Sequence, residues 1–151
     1  MARYRIPTAR YRVFTDLAPA RAWCRELGVP LVVKADGLAA GKGVSICRTL
    51  PEADAALALC LEAAAFGAAG ASVVVEEFMV GEEASFFAIT DGTAILPLAG
   101  AQDHKTVFDD DRGPNTGGMG AYSPAPILDA AMAERVMAEI VRPTAAAMAR
   151  E

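Results

Sequence analysis

The stretch VKADGLAAGKGVSIC, Val33 to Cys47, sets Gly41-Lys42-Gly43 inside a glycine-bearing loop. Glycine and lysine together suit a phosphate. Backbone N–H groups without Cβ atoms can lie against it, and an ammonium can neutralise it. A Walker loop needs G-x-x-x-x-G-K-[ST] running into a helix. Here Asp36 stands five residues before Gly41, Gly43 follows Lys42, and the β-prone VSIC comes next. A dinucleotide-binding G-x-G-x-x-G fails on the spacing of Gly37, Gly41 and Gly43. A glycine-rich turn between two strands remains, and two readings of it stay open. It is either a flap over a polyphosphate or a hairpin tip carrying a solvated lysine.

Other residues bear on that choice. Lys34 interrupts an apolar run, where a lysine is costly to bury without an anionic partner. VVVEEFMVGEE joins a hydrophobic strand to Glu76, Glu77, Glu82 and Glu83. Such a backbone can pair with an adenine edge, and a nearby carboxylate can take ribose hydroxyls. A solvated strand end is the plain alternative. The one histidine, His104, stands between Asp103 and Lys105. It can be structural or catalytic, and Lys105 can neutralise a phosphate. Asn115, Thr116, Gly117, Gly118 and Gly120 offer donors and close backbone approach; the alternative is a plain glycine turn. The run Asp109, Asp110, Asp111 points its acids in different directions and reads as a solvated loop rather than a metal site.

The elements that must position these groups can be read from periodicity. Tyr11 to Phe14 reads as a strand. Asp16 can cap a helix to Leu27 with Ala20, Trp23, Cys24 and Leu27 on one face, and Gly28 suits a left-handed residue closing it. LVVKA and GVSICR read as strands flanking the loop. Pro51 opens a helix with Glu52 and Asp54 in its first turn, and Ala53 to Ala65 favours helix. SVVVEEFM reads as a strand. ASFFAIT and TAILPLAG form a hairpin about a two-residue Asp91-Gly92 turn. QDHKTVFDDDRGPNTGGMGAYSPAP reads as a long loop. Asp129 caps a last helix to about Val141, which Pro143 restarts or kinks. Helices mixed with hairpins predict an α+β fold rather than a doubly wound sheet.

Composition narrows the function classes. At 151 residues the chain holds one domain or two small lobes. No apolar run approaches the ~20 residues of a membrane span, and the basic N-terminus lacks the apolar stretch of a signal peptide. A net charge of −5 argues against a nucleic-acid partner. Three cysteines, Cys24, Cys47 and Cys60, with no CxxC, read as buried thiols in a cytoplasmic protein.

Four motifs in order, VVKADGLAAGKGV, VVEEFMVGEEASF, LAGAQDHK and GPNTGGMGAYSP, resemble those of the phosphoribosylamine–glycine ligase (glycinamide ribonucleotide synthetase) family of the ATP-grasp superfamily. The resemblance runs from RIPTARY to RPTAAAMARE and implies an α+β ATP-grasp fold. Residues 7–79 would form the small, mobile lobe and 80–151 the first part of an incomplete larger lobe. It implies ATP as cofactor, with Lys34 at the adenine and α-phosphate and Gly37, Gly41, Lys42 and Gly43 in the flap over the outer phosphates. Glu76 would meet the adenine amino group, the backbone of Glu77, Phe78 and Met79 would line the ring, and Glu83, with Glu82 second, would take the ribose. Asp103, His104 and Lys105 would be catalytic, and Asn115, Thr116, Gly117, Gly118 and Gly120 would bind the phosphoribosyl substrate. The resemblance implies further N-terminal and C-terminal domains in the family, which are expected to lie outside residues 1–151. Its Mg²⁺ ligands are expected in a segment downstream of Glu151, so the chain alone is expected to lack activity. The implied reaction joins glycine to 5-phosphoribosylamine through glycyl phosphate, a step of purine synthesis. Its partners are those small molecules, with no membrane or nucleic acid. A non-catalytic nucleotide-binding or structural fragment, and a different ATP-grasp carboxylate–amine ligase, are the alternatives.

Overall fold

The computed structural model describes residues 1–37, 43–63, 65–110 and 112–151, with 114 and 115 described as backbone only. Gly41, Lys42 and Asp111, and the side chain of Asn115, lie outside the described residues. The chain divides into two compact units, Ala9–Val80 and Gly81–Glu151 with Met1–Thr8.

The Ala9–Val80 unit lays two helices on one face of a four-stranded sheet. Its elements are β1 (Tyr11–Phe14), α1 (Leu17–Leu27), β2 (Leu31–Ala35), β3 (Val44–Cys47), α2 (Leu50–Leu61) and β4 (Val73–Glu77). The strand order is β1-β4-β2-β3, antiparallel throughout. Period-two alternation sends Leu31, Val33, Cys47, Val73 and Val75 to the helix side. There they join Ala20, Trp23 and Cys24 of α1 and Ala53, Leu57 and Cys60 of α2 in one buried cluster. Trp23 also donates its indole N–H to the Val75 carbonyl at 3.2 Å, which locks α1 to the central strand β4. Across the helix pair, Arg21 bonds both carboxylate oxygens of Asp54, with Nη2 at 3.1 Å from Oδ2.

Local chemistry sets the helix ends. Thr49 and Glu52 form a reciprocal capping box at α2, so the start of the helix lies at Thr49 rather than at Pro51 alone. The helix stops at Leu61, four residues before the expected Ala65. Asp16 does occupy the N-cap of α1, but its carboxylate accepts from the Thr15 hydroxyl at 3.0 Å and makes no cap bond. Gly28 takes φ 80° with ψ 171°, a positive-φ exit that is not the left-handed helical one.

The other unit is built on two ribbons and a helical run. β5 (Ala88–Thr90) pairs with β6 (Ile95–Pro97). Their turn spans Asp91 to Ala94, four residues rather than the two expected. The Asp91 carboxylate decides this by accepting from Thr93 N (2.8 Å) and Ala94 N (2.7 Å). The same bonds lower the Asp91 pKa. The segment expected to be a long loop is instead a hairpin of β7 (Gln102–Phe108) and β8 (Arg112–Tyr122). Its glycines hid it. Gly113, Gly118 and Gly120 take φ of 88°, 132° and 144°, and the pairing register slips between His104 and Thr106 and again before Phe108. Irregular, bulged strands of this kind show no alternation for a sequence reading to find.

Asp129 caps α3 (Ala130–Val136) by accepting from Met132 N at 2.8 Å, as expected. The chain then stays helical through a widened π segment, Met137–Val141, into α4 (Arg142–Met148). Pro143 has no N–H to give, and its ring crowds the preceding turn. The widened turn absorbs both, so the proline shifts the hydrogen-bond register instead of ending the helix.

Candidate functional site

In the Ala9–Val80 unit the sheet face turned away from the helices carries Tyr11, Val13, Val32, Lys34, Val44, Ile46, Val74 and Glu76. Register alone places them there: Lys34 lies opposite Val44 and Val74, and Val32 opposite Ile46 and Glu76. This face is apolar and partly open, with Val13, Val44 and Ile46 each about half exposed (51–54 %). In its middle the Lys34 ammonium and the Glu76 carboxylate meet as an ion pair, with Glu76 only 20 % exposed. The pair answers the question that Lys34 raised in an apolar strand: its anionic partner is the diagonal neighbour on β4. An apolar platform with one cation and one carboxylate set into it can hold a flat heterocycle and the first of a chain of phosphates.

The loop that joins β2 to β3 leaves from a braced base. Gly43 closes the hairpin by accepting from Ala35 N at 2.8 Å. Gly37 donates to the Ala69 carbonyl at 3.1 Å, and a Cβ on it would stand 2.5 Å from the Ala69 α-carbon. The structure therefore gives Gly37 a packing role and commits its N–H within the protein. The residue before it, Asp36, accepts from the Ser72 hydroxyl at 2.9 Å.

At the end of β4, Glu77 donates its N–H to the Arg10 carbonyl at 3.0 Å. Its carboxylate accepts from Arg10 N at 2.9 Å and lies 3.5 Å from the Arg10 guanidinium. The Glu77 N–H is thus taken. Beyond it Met79 and Val80 stand strongly exposed at 69 % and 89 %.

In the other unit β7 brings the QDHK residues to a cleft of about 190 Å³ lined also by Gly81 and Glu83. Lys105 Nζ lies 3.1 Å from Glu83 Oε1 and 3.3 Å from Asp103 Oδ2. These two carboxylates, Glu83 first, raise the Lys105 pKa. The His104 ring sits 5.5 Å from that of Tyr122, tilted by 36°, and the Tyr122 hydroxyl donates to Gln102, the buried polar residue of the strand. Thr116 donates to the Lys105 carbonyl at 2.9 Å and accepts from Gly118 N at 3.0 Å. That ties the glycine strand to Lys105. A Cβ on Gly117, Gly118 or Gly120 would meet nothing within 4 Å, so the backbone there is open to approach. Sequence reasoning missed Gln102, Tyr122 and the apolar face around Lys34. Only the alternation Val32–Lys34 against Val74–Glu76 could have signalled that face.

Among the described residues no three His, Cys, Asp or Glu side chains converge to hold a metal. Asp109 and Asp110 sit exposed at the β7–β8 turn, and Asp110 lies 3.4 Å from Arg112. The residues described do not fit a Mg²⁺ site. Among them, too, no helix is long and apolar enough to cross a membrane.

The model of the phosphoribosylglycinamide synthetase ATP-grasp (A) domain matches residues 1–151. The chain belongs to this family. It is 64 % identical over 148 residues to phosphoribosylamine–glycine ligase of Rhizobium meliloti, covering 98 % of this chain and 35 % of the relative. The enzyme of the same name from Pseudomonas aeruginosa is 57 % identical over 151 residues, again 35 % of its length. The chain therefore spans about a third of the curated relatives it matches. Among solved structures, phosphoribosylamine–glycine ligase of Thermotoga maritima superposes with a TM-score of 0.80 at 33 % identity, over 95 % of this chain and 37 % of that one. D-alanine–D-alanine ligase of Bacillus anthracis gives 0.62 at 23 % identity, over 93 % and 42 %. The α+β ATP-grasp fold expected from the four motifs is the one found.

Proposed function

We propose that this chain is the nucleotide-binding part of an enzyme that joins glycine to 5-phosphoribosylamine at the expense of ATP. The observation that carries the reading is the Lys34–Glu76 pair set into an apolar sheet face within a chain of this family. The adenine lies on Val32, Val74 and Ile46. Glu76 and the Glu77 carbonyl accept from its amino group, and Lys34 reaches the α-phosphate. The family resemblance assigns the outer phosphates to Gly41 and Lys42, which lie outside the described residues. The family resemblance assigns the ribose hydroxyls to Glu83. Lys105 leaves Glu83 for the transferring phosphoryl group, and Asp103 remains its partner.

A carboxylate is a poor acyl donor because oxide is a poor leaving group. The glycine carboxylate attacks the γ-phosphorus, the bond to the β-phosphate oxygen breaks, and ADP leaves. The amine of phosphoribosylamine then attacks the glycyl carbonyl, expels phosphate and loses a proton. The protein's work is positioning and charge neutralisation, and no side-chain nucleophile is needed. Thr116 and the open backbone at Gly117, Gly118 and Gly120, with Asn115, bind the phosphoribosyl group. Buried thiols at Cys24, Cys47 and Cys60 suit a reducing, cytoplasmic setting.

Two measurements test this. ATP titrated into the chain should bind, and Lys34→Met should abolish binding. In the longest reading frame that carries the chain, ADP release should require both glycine and 5-phosphoribosylamine. Release with another amino acid and amine, and none with this pair, would replace the substrate assignment.

A further inference from the structure

The contact between Arg10 and Glu77 departs from a regular ladder in an informative way. β1 and β4 pair antiparallel with Tyr11 opposite Glu76, so Arg10 falls opposite Glu77. In a regular ladder such a pair exchanges two backbone bonds, each N–H to the other's carbonyl. One is present: Glu77 N donates to the Arg10 carbonyl at 3.0 Å. The return bond goes elsewhere. Arg10 N donates to Glu77 Oε1 at 2.9 Å, so the side-chain carboxylate stands where the main-chain carbonyl belongs. The Arg10 guanidinium, 3.5 Å from Oε2 and 5.9 Å from the Trp23 ring centroid, holds that carboxylate from its other side.

We propose that the Glu77 carboxylate substitutes for its own carbonyl at the end of the β1–β4 ladder and so frees that carbonyl to accept a hydrogen bond from a bound nucleobase. The inference rests on the nucleotide reading above and adds a base-selecting role for a side chain that does not touch the base. A freed carbonyl is an acceptor. It favours adenine, whose 6-position carries an amino donor, and disfavours hypoxanthine or guanine, whose 6-position carries an oxygen. Glu77 is a positioning residue in this account, and Arg10 positions Glu77.

The account makes Glu77→Ala a selectivity variant. Without the carboxylate, Arg10 N turns to the Glu77 carbonyl, the ladder closes, and the strand then competes with the base for that oxygen. Calorimetric titration of the chain should show ATP weakened about fivefold, as expected for one weakened hydrogen bond. Inosine triphosphate should change little, so the ratio of the two affinities falls. Glu77→Gln keeps an oxygen at the same reach and should keep the wild-type ratio. An ATP-to-inosine-triphosphate ratio within twofold of wild type in Glu77→Ala overturns the proposal. So does an equal loss for both nucleotides, which marks a merely structural role. Failure of the wild-type chain to bind either nucleotide overturns the nucleotide reading itself, a separate outcome. Should Glu77→Ala not fold, Glu77→Asp, one methylene too short to reach Arg10, carries the same test. In the wild-type chain a scalar coupling across the hydrogen bond from the Arg10 nitrogen should run to the Glu77 side-chain carboxyl carbon. Coupling to the Glu77 main-chain carbonyl carbon overturns the proposal without any variant.

Discussion

Replacing Lys34 with methionine separates what the Lys34–Glu76 pair does for the fold from what it does for a ligand. Lys34 is 39 % and Glu76 20 % exposed. Removing one partner of a fully buried pair costs about 3–5 kcal/mol, and an exposed pair is worth under about 1. A half-buried pair on an apolar face falls between, so Lys34→Met should cost about 2 kcal/mol by leaving the Glu76 carboxylate beside Val32 and Val74. For a unit of about 70 residues that is a drop in Tm of roughly 10 °C. The double variant Lys34→Met/Glu76→Leu removes the stranded charge and lets two apolar side chains pack. It should recover most of the lost stability, while ATP binding stays lost because both polar contacts are gone. Urea unfolding read by the single tryptophan, Trp23, which is 6 % exposed, measures the cycle. A double variant as unstable as the sum of the two single variants would refute the reasoning, since the two side chains would then not be coupled.

Two further outcomes follow from packing and ionisation. Gly37→Ala places a Cβ against the Ala69 backbone, which cannot swing aside, and should destabilise the Ala9–Val80 unit by about 1–3 kcal/mol in the same urea assay. Burial pushes the Cys47 thiol up to about 11. A raised folded pKa means that stability holds below the unfolded thiol's pKa of about 8.5 and declines as pH rises towards 11. Urea midpoints at pH 7, 9 and 10.5 should therefore fall, and Cys47→Val should show a shallower fall.

The legible parts of the chain are those where one local rule decides. Tyr11–Phe14, Leu31–Ala35 and Val44–Cys47 are strands because β-branched runs end at turn residues, and the expected elements match them. Asp129 is a cap because a carboxylate precedes a helical period. Misreadings arose where two local rules competed. Asp91-Gly92 suits a two-residue turn, yet the Asp91 carboxylate captures two N–H groups and draws out a four-residue one. Pro51 alone predicts the start of α2, and the structure adds Thr49 as its cap, with Glu52 completing the capping box. The β7–β8 hairpin was illegible because its strands are held by cross-strand bonds and glycine conformations rather than by side-chain alternation.

The sequence by itself determined the family, the order of the elements up to Glu77, and the residue types available for phosphate and carboxylate chemistry. Motif identity and short-range periodicity are local properties, and they are written in neighbouring residues. Tertiary structure decided which residues meet. Strand register set Glu76 diagonally beside Lys34, the β7 strand drew Asp103 and Glu83 onto Lys105, and the end of β4 put a carboxylate into a ladder position meant for a carbonyl. Each of those contacts joins residues separated along the chain or departs from a regular pattern. Their cause is pairing between strands, which no single stretch of residues contains.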